Sequence, residues 1–368
     1  MAVLVAFTGW VFRNAEQTQA KARAATATVT TVATSSSGTA AASASASPTA
    51  KASATATNMT KAQILASASA TASSSASTAK YFGVSAVNVP FAPSALKAIS
   101  AKAGVSPDMV EYYVNWTQNF NPATVRSAYA QGTIPVLTWE SFAGLQGSTW
   151  KTLSQPAYAL STIIDGGHDA YITAFAKAVA ASKLPVVIRF DHEMNGNWFP
   201  WSEDRNGNST GQYVKAWRHV WTIFEQAGAM NVIWDWAPNV IRGATITDLA
   251  TLYPGDKYVD WIGLSAYDDS ETTAQALIGP SLTEIRTFTK LPLLITETGA
   301  QPGSHKAAYT ANFLSWLPGQ SGVIGFVWNE IPASSGSGTD WGFDADAATL
   351  SAFQKGIKGL TLVKVPAA

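Results

Sequence analysis

The stretch PVVIRFDHE, from Pro185 to Glu193, begins as a continuous apolar run and ends in ionisable residues. A continuous apolar run indicates a strand that is buried on both faces, as in a parallel sheet covered by helices. Further runs of this kind recur along the chain from Tyr81 onward. The predicted strands are Tyr81–Ala86, Met109–Trp116, Ile134–Glu140, Pro185–Glu193, Val232–Pro238, Trp261–Tyr267, Leu291–Glu297 and Gly322–Asn329.

Helical patterns lie between these strands and decide the fold class. Examples are Ser94–Ala103, Asp169–Lys183, Gly211–Ala227, Thr272–Lys290 and His305–Trp316. Eight strand–helix units over roughly 280 residues match the α/β class and the (β/α)8 TIM barrel in number and size. The alternative is an open doubly wound sheet, which would carry a Gly-rich nucleotide loop after its first strand. That turn reads AVNVP here, from Ala86 to Pro90, and therefore favours the barrel.

Composition restricts the classes of partner. The chain has 368 residues, no cysteine, and equal numbers of Lys+Arg and Asp+Glu, 24 each. This balance gives no general attraction to nucleic acid or anionic lipid and favours a neutral partner. The lack of cysteine excludes disulfides, zinc–thiolate sites and thiol nucleophiles. The 14 tryptophans serve as core or as flat platforms for ligands.

The N-terminal part of the chain differs from the rest. Residues 1–23 begin with an apolar run, Met1 to Phe12, which is too short for a membrane span and resembles part of a signal or anchor. Residues 24–79 are almost wholly Ala, Ser and Thr, and we predict a disordered linker, with transient helix as the alternative. Residues 80–362 form the predicted catalytic domain. We expect an extracellular monomer, secreted or tethered, with membrane contact only through an N-terminal anchor.

Polar residues gather at the ends of the predicted strands, where a barrel has its active site. The fourth strand ends in Glu193 and the seventh in Glu297. Two facing carboxyl groups suit cleavage of a glycosidic bond, with one as the acid and the other as the nucleophile. Aromatic rings follow Glu193 and should raise its pKa, which suits the acid. Donors from Tyr267 and an arginine would favour the charged form of Glu297, which suits the nucleophile.

These residues resemble glycoside hydrolase family 26. The run RFDHEMNGNWFPW, from Arg189 to Trp201, is similar to the acid/base signature of that family. The run ITETG around Glu297 looks like its nucleophile strand, SAY ending at Tyr267 like the strand whose tyrosine contacts the nucleophile, and FVW ending at Trp328 like the aromatic floor of the sugar site. The family contains bacterial endo-β-1,4-mannanases, with lichenases and some xylanases as minority activities.

The resemblance implies a retaining double displacement without metal or cofactor, with Glu193 as acid/base and Glu297 as nucleophile. It places Arg189 beneath the carboxylates, His192 beside Glu193 or the sugar, and tryptophans against sugar faces. The run TWE, which contains Trp139, is similar to members closer to the lichenases. The substrate-site residues implied in this way are His192, Arg189, Trp198, Trp201, Tyr267, Trp328 and Trp139.

We therefore expect a retaining endo-hydrolase that cleaves β-1,4-mannosidic bonds in a β-linked polysaccharide. A β-1,3-1,4-glucanase or a xylanase of the same family is the alternative. Outside this class, the chain would be a barrel that binds glycans without cleaving them. Structural roles also remain open for single residues: Glu193 as an ion-pair partner of Arg189, Glu297 as a turn cap, and Tyr267 or Trp328 as packing residues.

Overall fold

The computed structural model describes residues 58–73, 79–146, 148–149, 152–333 and 339–367. Eight parallel strands pair in chain order, and β1 pairs with both β2 and β8, which closes the sheet into a barrel. The predicted (β/α)8 fold is therefore confirmed. The strands are β1 Ala79–Ala86, β2 Met109–Asn115, β3 Ile134–Glu140, β4 Val186–Phe190, β5 Val232–Trp236, β6 Trp261–Asp268, β7 Leu293–Ala300 and β8 Val323–Glu330.

Helices cover the outside of the barrel, and the five predicted ones are confirmed with shifted ends. The α-helices are α1 Lys61–Ser73, α2 Pro93–Ala103, α3 Pro122–Ala130, α4 Leu160–Ile164, α5 Asp169–Ser182, α6 Gln212–Gln226, α7 Ala274–Ile285, α8 Lys306–Trp316 and α9 Ala347–Ile357. Short 3-10 helices occur at Pro156–Tyr158, Leu249–Leu252, Asp256–Tyr258 and Leu317–Gly319. A two-residue strand, β9 Thr361–Leu362, pairs with the start of β1. Within the described ranges, no helix has the length and apolarity needed to cross a membrane.

Helix α1 corrects the predicted linker. Its residues Ile64 and Ala68 are fully buried against the amino end of the barrel, and Lys61 pairs with Asp260 at 3.1 Å. The prediction of disorder through residue 79 is therefore wrong for 61–73. The helix is stabilised because it buries apolar side chains against the barrel. This contact depends on the tertiary structure, so the composition of the segment does not reveal it. The predicted signal or anchor at 1–23 and most of the linker lie outside the described residues.

The barrel interior changes character along its axis. At the amino end, one buried cluster takes apolar residues from α1 and from every strand of the barrel. The strand members of this cluster are Tyr81, Met109, Ile134, Val136, Val187, Ile233, Trp261, Leu294, Ile324 and Val327. Two residues further along three of these strands, the buried side chains are Glu111, Arg189 and Asp235. Because alternate residues of a strand share a face, these polar groups point into the same interior.

Candidate active site

The turn after β4 positions the predicted acid. The strand ends at Phe190, three residues before the predicted end, because Asp191 and Glu193 both adopt left-handed backbone conformations, with φ of 43° and 53°. Such conformations cost about 1–3 kcal/mol for non-glycine residues and persist only where surrounding contacts hold them. Here the Glu193 amide donates to the Ala237 carbonyl at 2.7 Å, and Asp191 accepts two hydrogen bonds from Ser141. The turn therefore aims Glu193 at the barrel axis.

Glu297 lies on β7, and the structure brings it to Glu193. The β7–β8 pairing is irregular between Ile295 and Thr298, where Glu297 points inward. One oxygen of Glu193, one oxygen of Glu297 and a ring nitrogen of His192 lie within 4.8 Å of one another. Both carboxyl groups are 2% exposed. Carboxyl groups roughly 5–5.5 Å apart are typical of retaining glycosidases, whereas inverting enzymes need about 6.5–9.5 Å.

Three donors surround Glu297. Tyr113 on β2 donates its hydroxyl to Oε1, while Ser265 and Arg189 each reach Oε2 at 3.4 Å. Tyr113 was not among the predicted site residues, although its position two residues after Glu111 places it on the inward face of β2. The predicted partner Tyr267 accepts a hydrogen bond from Asn329 at 2.7 Å. Its contact with Glu297 stays a prediction.

Trp198 supports Glu193. The indole Nε1 donates to Glu193 Oε2 at 2.7 Å, and the ring is 9% exposed. Gly196 allows this arrangement, since a Cβ there would lie 2.3 Å from the Trp198 ring. Burial raises the pKa of Glu193, and the Arg189 charge with hydrogen bonds from Ser265 and Trp198 opposes that rise. The expected direction for the acid is confirmed.

The charge balance of the cleft is the main electrostatic feature. Arg189 is fully buried and pairs with Glu111 at 3.2 Å and with Glu297 at 3.4 Å. Burial raises the pKa of Glu111 to about 7. Burial and the neighbouring Glu111 also raise the pKa of Glu297 well above its ordinary value, against the expectation of a readily charged nucleophile. One guanidinium thus faces several buried carboxyl groups, which favours a cleft that retains protons. These groups are Glu111, Glu140, Glu193, Asp235 and Glu297.

Opposing effects act on the position of the negative charge in the carboxyl pair. Donors to a carboxylate stabilise its charged form, and Tyr113, Ser265 and Arg189 surround Glu297. The neighbouring Glu111 disfavours the charged form of Glu297, and Ser265, Trp198 and the Arg189 charge favour the charged form of Glu193. An acid at Glu193 and a nucleophile at Glu297 require the donors to Glu297 to prevail.

His192 is fully buried between aromatic rings and carboxyl groups. Its ring lies 4.6 Å from the Phe199 ring and 5.7 Å from the Trp201 ring. Its Nδ1 is 3.8 Å from an oxygen of Glu140, which is also fully buried. Burial lowers the pKa of His192 well below its ordinary value and raises that of Glu140 well above it. The sequence analysis placed Glu140 at a strand end but gave it no role.

Three of the predicted sugar-binding tryptophans pack against other aromatic side chains. Trp139 packs 4.6 Å from Phe175 of α5, and Trp328 packs 5.5 Å from Phe353 of α9, so both rings face the helix layer. Trp201 is fully buried, stacks 4.5 Å from Phe199 and donates to the His192 carbonyl. None of these rings has exposed surface, so the structure gives no support to their stacking on a sugar, which stays a prediction.

An aromatic residue after β8 was not predicted. Trp341 lies with its ring 4.7 Å from that of Tyr267, and its carbonyl accepts a hydrogen bond from the Trp328 indole. It packs on Gly299, two residues beyond Glu297, where a Cβ would lie 3.2 Å from the Trp341 Cβ. The residue lies in a loop outside every predicted strand, so strand patterns carried no signal for it.

Among the described residues, His192, Glu193 and Glu297 are the group close enough to share an ion. Donors from Trp198, Tyr113, Ser265 and Arg189 already occupy the oxygens of these carboxyl groups. We interpret the three side chains as a carboxyl pair with an imidazole. The predicted absence of a metal or cofactor stays a prediction.

A closed parallel barrel with two carboxyl groups meeting at the carboxyl ends of β4 and β7 has the construction of a glycoside hydrolase. The sequence profile of Glycosyl hydrolase family 26 matches residues 100–305, more than half of the chain, and this segment contains both glutamates. The chain belongs to glycosyl hydrolase family 26, as the motifs predicted.

Individual relatives cover different parts of the chain. Endoglucanase H of Acetivibrio thermocellus is 28% identical over 277 residues, 72% of this chain and 29% of that protein. A mannan endo-1,4-beta-mannosidase of Bifidobacterium adolescentis is 26% identical over 129 residues, 35% of this chain and 12% of that protein. The chain thus spans less than a third of the length of either relative. A GH26 beta-mannanase structure from Bacteroides ovatus has a TM-score of 0.59 at 17% identity, covering 82% of this chain and 94% of that chain, which shows the shared fold.

Proposed function

We propose that this protein is a retaining endo-glycoside hydrolase that cleaves β-1,4-mannosidic bonds in mannan-type polysaccharide. The observation that supports it best is the meeting of Glu193 and Glu297, with oxygens no more than 4.8 Å apart, at the carboxyl end of the barrel. This spacing leaves room for the attacked carbon and too little for an intervening water on the opposite face.

The first step forms a glycosyl-enzyme. A carboxylate oxygen of Glu297 attacks the anomeric carbon while the bond from that carbon to the leaving oxygen breaks. Glu193 passes its proton to the leaving oxygen, so the shortened polysaccharide departs neutral. Arg189 and Tyr113 hold the Glu297 carboxylate in a fixed orientation before the attack.

The second step releases the sugar. Glu193, now a carboxylate, takes a proton from water, and the water oxygen attacks the anomeric carbon. The bond to Glu297 breaks, and the hydroxyl replaces it on the original β face. Two inversions at one carbon therefore give net retention.

The names of the relatives support two candidate substrates. Mannan is supported by relatives named mannanases, and β-glucan by the relative with the longer alignment. A curated relative named mannan endo-1,4-beta-mannosidase matches 35% of the chain. The relative named endoglucanase H matches 72% of it, and a relative named beta-1,3-xylanase matches 29%. The longer match supports a β-glucan, including the mixed-linkage β-1,3-1,4 type, as the second candidate substrate.

A substrate panel decides between these candidates. Release of reducing ends from mannan, lichenan and xylan would be measured in parallel at equal enzyme concentration. We expect the highest kcat/KM on mannan; a higher value on lichenan would replace mannan by mixed-linkage glucan. Early-time proton NMR of the product should show the β-anomer, and an initial α-anomer would overturn the retaining mechanism.

The variant Glu297→Ala separates catalysis from binding. It should lose turnover of all three polysaccharides, by roughly 10⁴-fold or more, while its far-UV circular dichroism stays that of the wild type. Retained turnover would remove the nucleophile assignment. Binding of mannan by the wild type without cleavage of any polysaccharide would identify a glycan-binding barrel in place of an enzyme.

We further propose that the protein acts outside the cell as a monomer, secreted or tethered. A polysaccharide is too large to enter a cell intact, and the Ala/Ser/Thr-rich composition of residues 24–57 suits a spacer between a surface and a catalytic domain. Fractionation of a native culture should place the protein in the medium or the cell envelope. Recovery in the cytoplasm alone would contradict this proposal, and light scattering would measure the oligomeric state.

A further inference from the structure

Glu140 and His192 form a buried pair that the mechanism above does not use. Both side chains are fully buried, and the Glu140 Oε1 lies 3.8 Å from the His192 Nδ1. Neither oxygen of Glu140 and neither ring nitrogen of His192 has a hydrogen-bond partner. Unpaired buried polar groups are costly and uncommon in folded proteins, so their presence here calls for a role.

The pair adjoins the groups that exchange protons. A ring nitrogen of His192 lies within 4.8 Å of oxygens of both Glu193 and Glu297. Glu140 lies 3.8 Å from the same imidazole, and the Glu193 charge also raises its pKa. The titratable groups facing Glu140 or His192 are Arg189, Asp191, Glu111, Glu193, Glu297 and Tyr113.

The first step moves the negative charge of the site from Glu297 to Glu193. Before this step, one guanidinium faces a carboxylate at Glu297, which pairs with Arg189 at 3.4 Å, and a protonated Glu193. After it, Glu297 is a neutral ester, and Glu193 is a carboxylate in a residue that is 2% exposed. The charge has left its ion pair with Arg189, and a buried carboxylate without a close opposite charge is disfavoured.

We propose that Glu140 is a positioning residue that passes its proton to His192 when Glu193 becomes ionised, so that an imidazolium faces the new carboxylate. The inference rests on the proposed function of Glu193. The O–H bond of Glu140 breaks, an N–H bond forms at His192 Nδ1, and the negative charge moves to Glu140. No net charge is created. The donor and acceptor need to approach by less than about 1 Å to reach hydrogen-bond distance.

The electrostatics of the resting site agree with this starting state. Burial raises the pKa of Glu140 well above its ordinary value, with the Asp191 charge adding to the rise. Burial and the Arg189 charge lower the pKa of His192. Both directions favour a neutral acid beside a neutral imidazole while Glu193 keeps its proton.

The proposal predicts that His192 gains a proton as pH rises, which is the reverse of an ordinary histidine titration. The chain has four histidines, so their ¹⁵N ring signals are readily assigned. As pH rises through the pKa of Glu193, His192 should move from the neutral to the imidazolium form in the wild-type protein. An imidazole that stays neutral, or that loses a proton as pH rises, would overturn the proposal. This measurement needs no variant and no turnover, so it remains decisive even if no polysaccharide is cleaved.

The variant Glu140→Gln keeps the shape and removes the transferable proton. We expect its His192 to stay neutral at every pH. Without the imidazolium, ionisation of Glu193 becomes harder, so the basic limb of the kcat/KM profile should move up by roughly one pH unit. No shift would overturn the proposal, and a downward shift would mean that Glu140 carries a permanent charge, which also overturns it.

Asp108→Asn is the matched control. Asp108 is a buried carboxyl group at the amino end of the barrel, where both oxygens accept from the Phe82 amide at 3.1 Å. The same carboxyl-to-amide change is made far from the cleft. In Asp108→Asn, the titration of His192 and the basic limb of the kcat/KM profile should equal those of the wild type, even if the variant is less stable.

Discussion

The two ends of the barrel are built from the same strands but differ in what they bury. The amino end encloses apolar side chains from all eight strands and is covered by α1, whose Ile64 and Ala68 are fully buried. The carboxyl end encloses Glu111, Arg189 and Glu297. The apolar end contributes burial that stabilises the fold, whereas the polar end holds carboxyl groups whose pKa values burial raises. Stability and chemistry are therefore separated along one axis, and each end can be perturbed by itself.

The largest expected effect is at the carboxyl end. Glu193→Ala should lower polysaccharide hydrolysis by about 10²–10⁴-fold, since the leaving oxygen no longer receives a proton. In the first step, the loss should be much smaller for an aryl glycoside whose leaving group departs without a proton. Glu203→Gln alters a buried carboxyl group that accepts from the Tyr213 amide outside the cleft and should leave kcat near the wild-type value. Equal losses on both kinds of substrate would contradict the acid role.

Tyr113→Phe tests the donor that sequence analysis missed. Losing this hydroxyl removes a hydrogen bond to Glu297 and should lower kcat/KM by about 10²-fold. The donor favours the charged form, so its loss should raise the pKa of Glu297 and move the acidic limb of the pH profile upward. The neighbouring Tyr112 faces Phe91 on the outside of the barrel, 6.0 Å between ring centres. Tyr112→Phe should leave the profile unchanged, and identical behaviour of the two variants would count against the Tyr113 contact.

Ile64→Ala tests the amino end. Removing this fully buried side chain should lower the free energy of unfolding by about 2–5 kcal/mol. Urea denaturation would measure the loss, with Ser69→Ala on the exposed face of the same helix as the control. Activity at 25 °C should stay at the wild-type level because the cleft lies at the other end. A large fall in kcat with an unchanged denaturation midpoint would show that the two ends are coupled.

The smallest effect is a pH dependence of stability. Burial raises the pKa of Asp235 from 3.8 to about 8, while the Arg189 charge and a hydrogen bond from Thr296 oppose the rise. A raised pKa gives stability that is complete below the unfolded value and is lost as pH rises through the folded value. Wild-type Tm should therefore fall between pH 5 and pH 8.

In Asp235→Asn, the fall in Tm between pH 5 and pH 8 should be smaller by a few degrees, because a neutral amide does not titrate. The exposed Asp204→Asn serves as the control and should keep the wild-type slope. Scanning calorimetry at both pH values measures the difference. An unchanged slope in Asp235→Asn would mean that this carboxyl group is already ionised in the folded protein between pH 5 and pH 8.

Sequence patterns predicted the barrel and the meeting of Glu193 and Glu297 in it. Continuous apolar runs marked all eight strands, and the polar residues that ended them had to meet at one face because parallel strands align their carboxyl ends. Glu193 and Glu297 could therefore be paired across more than a hundred residues of chain. The direction of the Glu193 pKa followed in the same way from the aromatic rings after it.

Other features depended on contacts that only the folded chain creates. An apolar run does not reveal which face of a strand points to the axis, so Trp139 and Trp328 were assigned to the cleft although they pack on helices. Helix α1 gains its stability by covering the barrel, which the composition of residues 61–73 does not indicate. The Tyr113 contact with Glu297 joins strands far apart in sequence. Local sequence patterns determine where the strands lie. The closed barrel decides which side chains point to its axis, which are buried and which meet in the cleft.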